Sequence, residues 1–112
     1  MSARAQTWLW AAQRLSAMVL GVCVLVHLVT LVYAVRGGLS AEEILARTQG
    51  SVAWGVFYAV FVLAVAVHAP IGLRTILDEW LGLRPGARNA IAILTAAVLA
   101  LLGWRAVWAV VA

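Results

Sequence analysis

With 112 residues, 66% hydrophobic and only 11% charged, the chain is far more apolar than soluble domains, which are nearer half. A mean hydropathy of +1.05 excludes an ordinary soluble fold and marks a membrane protein. Eight basic residues, all arginine, against four acids give a net charge of +4. Because they cluster at the ends of apolar runs, they read as topology markers and snorkelling anchors, not as a nucleic-acid surface.

After Arg4, Trp8 and Trp10, an apolar run opens at Arg14 and continues to Val35. It is too long for a signal-peptide core and lacks a small-residue cleavage site, so it is expected to be a retained first span over about residues 14–35. Its one histidine, His27, shares a helical face with Ser16, Leu20, Cys23 and Thr30, a small and weakly polar stripe suited to a helix interface or a cofactor edge. Cys23, the single cysteine, cannot close an intrachain disulfide and reads as a small packing residue. Arg36-Gly37-Gly38 supplies a C-cap. Ser40 with Glu43 then forms a capping box for a short surface helix to about Thr48, with Leu39 placed to staple onto Ile44.

The second span is expected over about residues 52–76. From Val52 to Leu73 its only strongly polar side chain is His68, and an ionisable group in such a run is a functional hypothesis by default. The His68 face carries Phe57, Phe61, Ala64, Gly72, Thr75 and Glu79, which is aromatic, then small beside the histidine, then polar. Gly72, one turn on, is expected to leave room for something flat, and Pro70 frees the carbonyl of Ala66. A planar cofactor ligated by His68 would account for these features. A loop from Leu81 to Arg88, broken by Pro85-Gly86, leads to a third span capped by Asn89 and running over about residues 89–108, with Ala96, Ala97 and Ala100 as its packing face. The expected fold is all-α and integral to the membrane: one domain, residues 1–112, of three transmembrane helices with a short interfacial helix between the first two.

Arginine placement favours a cytoplasmic N-terminus. Arg4, Arg14, Arg74, Arg84 and Arg88 then lie inside and Arg36, Arg47 and Arg105 outside. Trp8, Trp10 and Trp80 fall in the inner aromatic belt, and Trp54, Trp104 and Trp108 in the outer one.

The chain has no Ser/His/Asp set, no pair of intramembrane carboxylates, no CxxC and no phosphate loop, so covalent or hydrolytic catalysis is excluded. The two histidines remain, either as axial ligands of a membrane haem iron or as hydrogen-bonding glue between helices. Six residues separate His68 from Arg74 and thirteen separate His27 from Arg14, depths of roughly 9 and 20 Å from the inner end. At such different levels the two imidazoles of one chain are poorly placed for the same iron, and each would need a ligand from another subunit.

Gln13-Arg14-Leu15-Ser16 resembles the (H/Q)-R-x-S-G signature of the cytochrome b membrane-anchor subunits of succinate dehydrogenase and fumarate reductase. His68-Ala69-Pro70-Ile71-Gly72-Leu73-Arg74 resembles their second-span H-x-x-x-G-(I/L)-R pattern. Ala17 departs from the glycine of the first signature, Thr75 stands where many members have a second histidine, and the acid after the motif appears as Asp78-Glu79. The resemblance implies haem b, with His68 as an iron ligand, and Arg14 near a haem propionate and the quinone pocket. Arg74 and Gly72 would border the haem, and Gln13 and Ser16 the quinone. His27 resembles the first-span ligand of two-haem anchors, which implies one or two haems shared with a second anchor subunit or a second copy of this chain. By the same resemblance, electrons would pass between an iron–sulfur subunit and membrane quinone in a bacterial cytoplasmic membrane. The flavin chemistry would belong to a flavoprotein subunit. The rival reading is a cofactor-free scaffold or transporter subunit whose histidines only pack helices.

Overall fold

The computed structural model describes all 112 residues, Met1–Ala112. It contains four helices and no strand: α1, Ala3–Arg36; α2, Ala41–Thr48; α3, Val52–Glu79; and α4, Pro85–Val111. Three of them, α1, α3 and α4, are long and apolar enough to span a bilayer.

The helix boundaries differ from the sequence expectations where local capping chemistry decides. α1 begins at Ala3, eleven residues before the expected start, because Ser2 accepts the amide of Ala5 and nothing between Ala3 and Gln13 breaks a helix. Its 34 residues make about 51 Å, so its first turns project beyond the hydrocarbon. α3 continues past residue 76 to Glu79. α4 starts at Pro85, not Asn89, with Arg84 extended before it. The ring of Pro85 fixes a helical φ where no amide donor is needed, so the expected loop-breaker is the first residue of the helix. Asn89, expected as a cap, accepts the Nε–H of Arg74 at 2.6 Å instead. α4 also runs on past Trp108 to Val111. The capping box at Ser40 and Glu43 is present. The C-termini of α1 and α3 are each followed by a left-handed glycine, Gly38 (φ 63°) and Gly82 (φ 59°). There the amides of Leu39 and Leu83 return to the carbonyls of Ala34 and Leu77.

α3 is the central element, packed by α1 on one side and by α4 on the other. The α1 seam is the stripe foreseen from spacing, with Ser16 and Cys23 buried and His27 and Thr30 half-buried. The α4 seam is rotated from the expected face. Ala97 and Ala100 are exposed, whereas Ala92 and Val107 are buried and Ala96, Leu99 and Gly103 lie between them. The shift follows from Gly103: a Cβ there would stand 2.7 Å from Cγ1 of Val62, so only glycine lets α4 come this close to a β-branched residue of α3. At the C-terminal end of α3, Arg88 closes the α3–α4 turn, donating to Asp78 at 2.6 Å and to the Leu83 carbonyl at 3.2 Å. At the opposite end of the bundle the amide of Gly50 donates to the carbonyl of Val111 at 2.8 Å.

Only eight residues of the chain are buried, so nearly all of its apolar surface is left for lipid or for other subunits. The Gly103 contact yields a first prediction. Gly103→Ala should destabilise the folded chain by about 1–3 kcal/mol through overpacking, measured by reversible unfolding in mixed micelles. Val62→Ala in the same chain should recover most of the loss, and equal stability of Gly103→Ala and wild type would show that the approach is not tight.

Candidate functional site

Two polar regions lie along α3 at different depths. Toward the C-terminal end of α3, α1 crosses it at Gln13 and Gly72. A Cβ on Gly72 would lie 3.3 Å from Nε2 of Gln13, so the room expected above this glycine for a flat group is taken by the glutamine side chain. Oε1 of Gln13 is buried without a hydrogen-bond partner. Gln13 lines a cavity of about 290 Å³ with Trp10, Ile71, Arg74 and Thr75. Ser16, though only one turn away, is buried and donates its hydroxyl to the Gln13 carbonyl at 3.1 Å, so it does not face this cavity. Arg14 is exposed and stacks its guanidinium 5.4 Å from the Trp10 ring centroid, which places it at the rim, beside a residue that lines the wall.

One turn before Gly72, His68 emerges on the other side of the α1 seam. Its Nδ1 is buried and has no partner in the chain, which leaves Nε2 as its accessible nitrogen. The ring lines a broad groove of about 660 Å³ whose other walls are all from α1, including Ala17, Gly21 and Leu25. Gly21 is the residue that opens it, since a Cβ there would meet nothing within 4 Å. The flat room beside His68 therefore lies over Gly21 and not over Gly72. Its signal was available in the sequence as two small residues four apart, Ala17 and Gly21, on the face next to the buried stripe.

His27 occupies the second region. Its Nδ1 lies 3.4 Å from the Tyr58 hydroxyl, with the donor set by the imidazole tautomer. The Phe61 ring meets its edge at 5.6 Å between centroids. Thr30 donates its hydroxyl to the His27 carbonyl at 2.7 Å, and Trp54 stacks on Tyr58 at 5.7 Å and 23°. Tyr58 was missed from sequence because the helical face drawn through His68 passes through Phe57 and Phe61, on either side of it. His68 lies seven residues beyond Phe61 and ten beyond Tyr58, about 10–15 Å along the helix, so the two imidazoles sit at separate levels and cannot share one iron.

Against known proteins, one family model, described as the succinate dehydrogenase/fumarate reductase transmembrane subunit, matches residues 1–104. No curated protein and no solved structure matches the chain. The match covers α1, α2 and α3 completely and most of α4.

Proposed function

The chain belongs to the succinate dehydrogenase/fumarate reductase transmembrane subunit family, and from that premise we propose that it is a haem b-binding anchor passing electrons between an iron–sulfur subunit and membrane quinone. The membrane role follows from the family and from three spanning helices. The oxidation or reduction of the dicarboxylate belongs to other subunits, a flavoprotein among them.

His68 carries the haem assignment. A histidine kept only for helix packing would bond across an interface, but Nδ1 of His68 is buried without a partner and the ring opens onto the Gly21 groove. The donor type fits, since a neutral imidazole is the usual axial ligand of a membrane haem. The flat space over Gly21 fits a macrocycle laid against the α1 backbone. When bound, a haem would supply a one-electron redox centre between an iron–sulfur cluster and the quinone. This chain's part is to hold and orient it: His68 offers one ligand, while Ala17 and Gly21 leave the α1 wall flat. Arg14 and Arg74, at the inner end, are placed to meet propionates or quinone oxygens. The groove is walled by one helix and open opposite it, so a second anchor subunit or a second copy would complete it and give the other ligand. His27 has what His68 lacks, a partner on the neighbouring helix, and the haem assignment here rests on His68 alone.

For quinone we assign the Gln13 cavity, where the Gln13 amide and the Arg74 guanidinium face one small space and can polarise a carbonyl. Arg14 guards its rim through Trp10, and Ser16 holds the α1 backbone at Gln13. Five arginines at this end against three at the other support placing it at the cytoplasmic face, which in a bacterial inner membrane would be the side where an iron–sulfur subunit docks.

His68→Ala should abolish the dithionite-reduced b-type absorbance of the assembled complex while the chain still inserts, because truncating one imidazole removes a ligand and little packing. Full haem content in that variant would refute the assignment. Arg14→Leu and Gln13→Ala should each lower quinone reductase activity by roughly tenfold, the effect of losing about 1.4 kcal/mol of polar contact, with haem content nearly unchanged. Activity equal to wild type in both would remove the quinone from this cavity.

A further inference from the structure

We infer that Asn89 is a positioning residue: it fixes the guanidinium of Arg74 through Nε and, being neutral, leaves the positive charge for an oxygen of the ligand in the Gln13 cavity. Arg74 and Asp78 stand one turn apart on α3, the spacing at which an arginine and an acid of one helix ordinarily pair. Here they do not. Asp78 is taken by Arg88 of α4 at 2.6 Å, the one salt bridge of the chain. Arg74 turns instead to the next residue of α4, donating Nε–H to Oδ1 of Asn89 at 2.6 Å. Since Nε can only donate, the Asn89 atom facing it must be the oxygen, which fixes the orientation of that amide.

A guanidinium carries five N–H donors, and only Nε–H of Arg74 has a partner in the chain, so both Nη groups are free. Arg74 is half-buried and is the one charged side chain on the wall of the Gln13 cavity, where no acid faces it. Thr75, beside it on that wall, gives its hydroxyl to the Ile71 carbonyl. A clasp kept for stability alone would set a carboxylate opposite Arg74, because a bond between two charged groups holds more strongly than one to a neutral amide. A carboxylate would also cancel the charge and draw an Nη group to itself, since it meets arginine through two parallel N–H bonds. Asn89 does neither. Its single carbonyl oxygen accepts from Nε, and its NH2 group offers the Nη donors nothing to bind. Adjacent residues of α4 thus divide the charges of α3 between them: Arg88 occupies the acid that would compete for Arg74, and Asn89 aims Arg74 without neutralising it.

The identity of the ligand rests on the quinone reading of this cavity given above, whereas the hold of Asn89 on Arg74 does not. The test uses the intact complex in phosphatidylcholine nanodiscs, with electron transfer to a short-tailed benzoquinone and with phenylglyoxal labelling of Arg74 mapped by mass spectrometry. In Asn89→Ala, KM for the quinone should rise several-fold and labelling of Arg74 should increase, while kcat and the rate to a water-soluble acceptor at the flavoprotein change by less than about twofold. In Asn89→Asp the bond to Nε persists but the charge is cancelled, so KM should rise roughly tenfold with thermal stability at the wild-type level. A clasp serving only the packing of α3 on α4 would give the opposite order, with Asn89→Asp equal to wild type in KM. That result, or unchanged labelling in Asn89→Ala, would overturn the proposal, as would a shifted haem midpoint potential at unchanged KM, which would assign Arg74 to a propionate. Arg74→Gln separates the two claims: an unchanged KM there would refute quinone in this cavity, and labelling alone would then decide whether Asn89 fixes the guanidinium.

Discussion

A polar atom buried in hydrocarbon has no water to bond, and this constraint sorts the few polar side chains of the chain into those satisfied within it and those that are not. Ser16 and Thr30 return their hydroxyls to their own helix, and His27 finds Tyr58. His68, Gln13 and Arg88 remain, each with a buried atom that has no partner, although Arg88 is bonded to Asp78 and the Leu83 carbonyl through Nη1. An unmet donor or acceptor costs about 1–3 kcal/mol, and in a chain that buries so few residues little else offsets it. His68 and Gln13 both lie where α1 packs on the C-terminal half of α3.

The helix arrangement follows from glycines and small residues. Without a hydrophobic driving force between helices in lipid, close approach decides which faces meet. Gly103 brings α4 onto Val62, Gly72 brings Gln13 onto α3, and Ser16 and Cys23 form the floor of the α1 seam. Gly21 behaves differently, since it faces open space. In α3 and α4 the packing glycines hold the frame, and this one leaves the α1 surface open beside His68.

Much of this was legible from spacing. The three spans, the interfacial helix with its capping box, the buried stripe of α1 and the separate depths of the two histidines all follow from period and length. Two kinds of feature were not. The starts of α1 and α4 depended on Ser2 and Pro85, whose capping geometry outweighed the hydropathy boundary by several residues. The faces of α4 and of the His68 groove depended on which glycine approaches a neighbour and which does not. Gly72 and Gly103 look alike in sequence to Gly21, and only the position of the facing helix distinguishes a contact from an opening. Tyr58 escaped for the same reason, because its partner His27 is 31 residues away in sequence.

The central claim is that the orphaned imidazole of His68 exists to ligate haem iron in the Gly21 groove, at an interface with a second anchor chain. A density map of the intact complex at side-chain resolution tests it most directly. The account predicts a planar group lying on Ala17 and Gly21, with its iron about 2 Å from Nε2 of His68, the length of other metal–imidazole bonds, and an opposing imidazole from the neighbouring chain. A groove filled by a lipid tail, with His68 hydrogen-bonded to the neighbouring subunit's backbone, would contradict it.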